Sequence, residues 1–153
     1  MCAMSDICYN ELVKFCNDAG LALISVSPAI PARKASERLK VWQESGYAGE
    51  MDYMERSPKL LSQPTRFLPS ARAVISVAVH YPSNPHNLAL QAGHGRIARY
   101  AQGRDYHKVL KKQLKRLTAS LDDFAPKQES RSFVDAVPLL EREFAAQGKQ
   151  GFI

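Results

Sequence analysis

Val74-Ile75-Ser76-Val77-Ala78-Val79-His80-Tyr81 is the stretch on which the fold reading turns. It is nearly continuous in apolar and β-branched residues, and Pro82 stops it, so it predicts a strand. A run with so little polar alternation suggests a central strand covered on both faces. The rest of the chain then has to supply helices to cover it.

Working outward, Leu21 to Ser27 reads as a second short buried strand, and Arg131 to Ala136 as a third. Between them lie helical periods. Ser5 can cap a helix running to about Ala19, with Cys8, Leu12, Phe15, Cys16 and Ala19 on one stripe and Gly20 ending it. Pro31 suits the first turn of a second helix reaching about Ser45, closed by Gly46. The following segment, to Arg56, reads as a turn and a short helix. Asp105 to Phe124 is the longest helix: Leu110, Leu114, Leu117, Leu121 and Phe124 recur at helical spacing as one apolar stripe, and Pro126 halts it. Pro138 to Ala146 closes the pattern as a final helix. The fold class expected is α/β, a sheet flanked by helices in a single domain over residues 1–153. The polar stretch from Ser83 to Gly103 is a loop of about 20 residues, a length that inside a compact domain usually signals function or mobility. Gly148 and Gly151 followed by Phe152-Ile153 resemble a chain entering a new turn and strand, so truncation is expected there.

Composition narrows the class. The chain has 153 residues with 45% hydrophobic content, enough for one core. No stretch approaches the roughly 20 apolar residues of a membrane span, and Asp6, Asn10, Glu11 and Lys14 break up any secretory leader, so a cytoplasmic location without membrane attachment is expected. Cys2, Cys8 and Cys16 are odd in number, clustered at one end, and include no C-x-x-C pair. They support neither a disulfide framework nor a zinc or iron–sulfur site, and Cys8 and Cys16 are expected as core thiols. The spacings of His80, His86, His94 and His107 match no metal template. Asp105-Tyr106-His107 begins like the D-x-H-x-x-G motif through which some proteins offer histidine to cobalt, but residue 110 is Leu; His107 is read as a polar helix residue at a site edge. The glycines form no dinucleotide or P-loop pattern.

Two features carry possible chemistry. Arg96, Arg99, Arg104, Lys108, Lys111, Lys112, Lys115 and Arg116 crowd one region in which Asp105 is the only acid, within a net charge of +6. The lysines follow helical spacing opposite the leucines. A solvated lysine face is one reading; a polyanion-binding surface, relieving the mutual repulsion, is the other. Tyr100 and Tyr106 stand among these charges, placed either to pack or to stack on exposed bases. The second feature is Asp135, expected at the carboxyl end of a strand, where α/β sheets open ligand crevices. It reads either as a capping or ion-paired carboxylate or, if partly buried, as a general acid near neutral pH.

Three blocks then carry a family resemblance: Gly46-Tyr47-Ala48-Gly49-Glu50-Met51-Asp52-Tyr53-Met54 continuing through Arg56 to Leu61; Arg99-Tyr100-Ala101-Gln102-Gly103-Arg104-Asp105-Tyr106-His107-Lys108-Val109-Leu110; and Phe133-Val134-Asp135-Ala136-Val137-Pro138-Leu139-Leu140-Glu141-Arg142. In order and spacing they resemble the epoxyqueuosine reductases over roughly residues 6–153. The resemblance implies a cobalamin-dependent oxidoreductase that converts epoxyqueuosine in tRNA to queuosine. It places the proton-donating role on Asp135, sets Arg56 and Asp135 beside the corrinoid, and sets Arg142 near the substrate nucleotide or cofactor. The tRNA surface would be Tyr106, Arg104, Lys108, Lys111 and Lys112. The family's 4Fe-4S clusters, bound in a ferredoxin-like region, would lie beyond Ile153, so the isolated chain is expected to be a monomeric N-terminal cobalamin-binding portion without turnover. The rival expectation is a non-catalytic, basic RNA-binding module.

Overall fold

The computed structural model describes residues 4–55, 58–80, 93, 95, 97–126, 128–135 and 139–148. Its sheet is an antiparallel pair: β1 (Ala22–Pro28) runs against β2 (Ala73–Ala78), from Ala22 opposite Ala78 to Pro28 opposite Ala73. Helices α1 (Met4–Asp18) and α4 (Tyr106–Phe124) cover one face, and α2 (Arg33–Glu44) and α5 (Glu141–Gln147) the other. A single turn, α3 (Pro58–Leu61), links the second layer to the sheet. The sheet flanked by helices expected from the sequence is therefore present.

A slip in the strand register explains how so small a sheet serves two cores. Leu23 pairs with Val77, but the next pair is Ser25 with Ser76, so one residue of β1 is passed over. Side chains alternate across a strand, and an extra residue reverses which face the remainder presents. Leu23 and Val77 accordingly pack into a cluster with Cys16, Ala19, Leu21, Leu114, Leu117 and Val134, beneath α1 and α4. Beyond the slip, Ser25 and Ser27 turn to the other face together with Val74, which packs on Phe144 of α5. Phe144 is fully buried, and Ala32 and Ala35 complete that second cluster.

This arrangement corrects the expectation of a central strand, while β2 is packed on both faces as expected. Among the described residues the sheet has two strands, and β2 ends at Ala78. The continuous apolar run arises because β2 feeds a different core from each face. Where neither helical layer reaches, its side chains stay open: Ile75 is 36% exposed and its partner Val26 40%. The expected third strand also does not form. Residues 131–133 belong to no helix or strand, and the chain bends at Val134 and Asp135. Asp135 takes φ 49°, in the left-handed region, which ends any extended run. Side chains hold the segment instead of a ladder: Phe133 meets Phe67 edge to face, the Arg131 guanidinium lies over Phe133 and donates to the Phe67 carbonyl, and Val134 is buried.

The helices follow the sequence pattern except at two starts: α1 already includes Ser5, so that serine does not cap it, and α2 begins at Arg33 with Ala32 as its cap, leaving Pro31 outside its first turn. Gly20 leaves α1 at φ 76°, and its carbonyl accepts a hydrogen bond from Gln113 Nε2 of α4 at 2.9 Å. Phe15 and Phe124 pack edge to face across the same two helices. Cys16 is fully buried and burial pushes its thiol pKa up, in keeping with a core role; Cys2 and the Cys8 side chain lie outside what is described. The last helix begins at Glu141, with Pro138 outside the described residues. Most of the long loop after β2 also lies outside them, as does Arg56. No helix among the described residues is long and apolar enough to cross a membrane.

Candidate active site

The site forms where the start of α4 meets the segment leading into α5. Asp105 is the N-cap of α4, its Oδ1 accepting the His107 backbone N–H at 3.0 Å. This satisfies one of the free amides at a helix start, which is why Asp suits that position. The same Oδ1 stands 2.9 Å from His107 Nδ1. The His107 side-chain contact, followed by its backbone amide, holds the Asp105 carboxyl below the usual range. Tyr106 is the first residue of the helix and leans into the α1–α4 core. Its ring is flanked by Tyr100, edge to face at 5.8 Å, and by His107, stacked at 4.0 Å.

The Tyr106 hydroxyl donates to Oδ2 of Asp135. That bond, more than the accompanying desolvation and the carboxylate's charge, pushes the phenol up to about 12. His107 Nε2 lies 3.7 Å from the same Oδ2. Asp135 thus presents one carboxylate oxygen to a phenol and an imidazole, both fixed on the first turn of α4. The burial expected for Asp135 is not found, since its side chain is 52% exposed. The carboxyl whose pKa is raised here is Glu141, at the head of α5 and itself exposed at the surface; partial desolvation by its neighbours first, then the Asp135 charge, raises it, partly offset by the Asp135 backbone amide.

Asp135 lines a cleft of about 500 Å³ together with Ala35, Leu139, Leu140 and Arg142. Backbone ties shape that cleft: the Leu140 amide donates to the Leu61 carbonyl and the Ala32 amide to the Ser62 carbonyl, each at 3.0 Å. These bonds draw α3, the start of α2 and the approach to α5 together. Of the residues expected from the sequence, Asp135 and Arg142 line the cleft together, and Tyr106 is joined to them through its bond to Asp135. Arg104, Lys108, Lys111 and Lys112 do not enter the cleft; they are exposed, the lysines on the face of α4 opposite its buried leucines. Lys108 to Arg116 spans about 12 Å of helix, leading away from the acid. Sequence reasoning left His107 at the edge and missed the parts played by Asp105 and Glu141. The one signal for the pair was the Asp-x-His spacing at a helix start, which brings a capping carboxylate and an imidazole together.

The family model described as Epoxyqueuosine reductase QueG, DUF1730, matches residues 62–136, the span that ends at the Asp135 cleft. A curated epoxyqueuosine reductase from Synechocystis sp. is 40% identical over 120 residues, covering 78% of this chain and 40% of the relative. The structure of epoxyqueuosine reductase from Streptococcus thermophilus superimposes with a TM-score of 0.79 at 27% identity, over 95% of this chain and 39% of that one. An epoxyqueuosine reductase crystallised with a tRNA-Tyr stem loop bearing epoxyqueuosine shares the fold, with a TM-score of 0.69 at 24% identity over 91% of this chain and 37% of that one. The chain is similar to the epoxyqueuosine reductases over most of its own length, and it spans about two fifths of the length of the relatives it matches.

Proposed function

We propose that this chain is the cobalamin-binding portion of a cytoplasmic epoxyqueuosine reductase, with Asp135 the acid that protonates the departing epoxide oxygen. The observation that carries the reading is the placing of Asp135 and Arg142 on one cleft, with Asp135 bonded to Tyr106 at the head of a basic helix face. Removing the epoxide oxygen as water, and leaving an alkene, consumes two electrons and two protons. A carboxyl at the cleft is a suitable source for one proton. Arg142 supplies a fork of donors for an anionic or carbonyl-bearing ligand. One relative was crystallised with a modified tRNA stem loop, and the Lys108–Arg116 face suits the phosphates of such an RNA.

The residues present fit one side of a corrinoid. Ala35, Leu139 and Leu140 give the cleft an apolar wall on which a macrocycle can pack, and Arg142 offers donors to its amide side chains. Arg56, which falls beside the corrinoid by resemblance, belongs to the same proposal. Bound cobalamin would supply the reducing electrons at cobalt, recharged by 4Fe-4S clusters in the length that the relatives have beyond this match.

The test joins this chain to the remaining length of the Synechocystis relative and follows queuosine formation on a tRNA stem loop. Asp135→Asn should lower the rate by about 10²-fold or more, the usual contribution of a general acid. Undiminished formation would remove Asp135 from that role. Salt-sensitive tRNA binding with no change in the corrinoid absorption spectrum would instead favour an RNA-binding module.

A further inference from the structure

The stoichiometry of the proposed reaction leaves one requirement unmet by Asp135 alone. Two protons are consumed per turnover, and a carboxyl group delivers one before it must be recharged. His107 is placed to do this. Its Nδ1 faces the Asp105 carboxylate at 2.9 Å, while Nε2 points to Asp135 Oδ2 at 3.7 Å. Stacking on Tyr106 fixes the plane of the ring, and Tyr106 anchors the same Asp135 oxygen. The imidazole side chain is 42% exposed, so it meets solvent as well as the acid. A carboxylate that accepts from Nδ1–H sets the tautomer and leaves Nε2 free to exchange a proton with the group beyond it.

We propose that His107, oriented by Asp105, is a positioning residue that holds Asp135 and returns a proton to it after each transfer. The inference rests on the reading of Asp135 as the acid. In the first step Asp135 Oδ–H gives its proton to the departing oxygen and becomes a carboxylate. The imidazolium Nε2–H then passes its proton to that carboxylate, and the neutral ring regains one from water. No electrons move in either step. The ionisable groups around the ring are Asp105, Tyr106 and Lys108 on its own helix and Asp135 opposite, with Glu141 behind Asp135.

Two measurements test it. On this chain alone, long-range proton–nitrogen NMR spectra of the neutral ring should show His107 protonated at Nδ1, and Asp105→Ala should release it to the other tautomer. A neutral ring already protonated at Nε2 would overturn the proposal. In the joined enzyme, His107→Gln should slow queuosine formation about tenfold or more, and free imidazole should restore part of the rate to His107→Ala. An unchanged rate in His107→Gln, with Asp135→Asn impaired, would sink the relay while leaving the acid in place. Should Asp135→Asn itself be fully active, the functional reading fails, whereas the tautomer still decides what Asp105 does to the ring.

Discussion

Tyr106 and Asp135 share the bond that most shapes the site at the residue scale. With its phenol held up to about 12, Tyr106 stays neutral across the physiological range. Its folded-state value lies above the unfolded value of about 10, so its contribution to stability is fully present below pH 10 and is lost as pH rises through about 12. Replacing Asp135 with Ala removes the acceptor and with it the leading cause. The ultraviolet absorbance titration of Tyr106, isolated by difference against Tyr106→Phe, should then fall back toward 10; an unmoved midpoint would mean that the bond is absent. Ser27 offers the opposite lesson. It is 1% exposed, and its hydroxyl has no hydrogen-bond partner among the described residues. An unsatisfied buried hydroxyl carries a penalty of about 1–3 kcal/mol, so Ser27→Ala should stabilise the fold by about 1 kcal/mol. The check is a higher urea midpoint at unchanged slope.

At the scale of elements, α5 is short, and it holds its place through close approach as much as through apolar area. Phe144 fills the cluster under the sheet, and Gly148 follows the helix directly above β1. A Cβ built on Gly148 would lie 2.1 Å from the Ser25 Cβ and 3.3 Å from its Cα. Backbone cannot yield as a long side chain does, so Gly148→Ala should destabilise the chain by about 1–3 kcal/mol. Because α5 also sets Glu141 and Arg142 at the cleft, the Tyr106 titration should broaden or shift in the same variant. A wild-type melting profile for Gly148→Ala would show that the last turn of α5 is not seated on β1. By contrast α4 needs no such contact: its leucine stripe and Asp105 cap specify it from within.

For the molecule as a whole, the basic face of α4 and the acid at its first turn lie along one line, about 12 Å from Lys108 to Arg116. Lysines on a phosphate backbone release counterions, and each phosphate neutralised adds about 0.7–0.9 to the slope of log affinity against log salt. Replacing Lys111 and Lys112 with Gln should flatten that slope by about 1.5 for an anticodon stem loop, measured by fluorescence anisotropy. A slope that does not change would assign those lysines to solvent. The same substitutions leave the Tyr106–Asp135 contact alone, so the Tyr106 titration should be indifferent to them.

Much of this was legible in the chain itself. The leucine spacing set α4, Gly20 and Gly46 closed their helices, and the apolar run at residues 74–79 announced β2, because periodicity and left-handed caps are local properties of a backbone. The family blocks, with Asp135 and Arg142 among them, could likewise be read in order along the chain. Three things were decided only in three dimensions. The register slip between Leu23 and Ser25 turns two serines inward where a periodic reading sees a simple strand. The Arg131–Asp135 segment stays unpaired because Phe67, Phe133 and the left-handed Asp135 hold it better than a ladder would. The meeting of His107, Tyr106 and Asp135 joins residues up to 29 positions apart, and no local pattern encodes it: only the packing of α4 against the approach to α5 brings the phenol and the imidazole to one Asp135 oxygen.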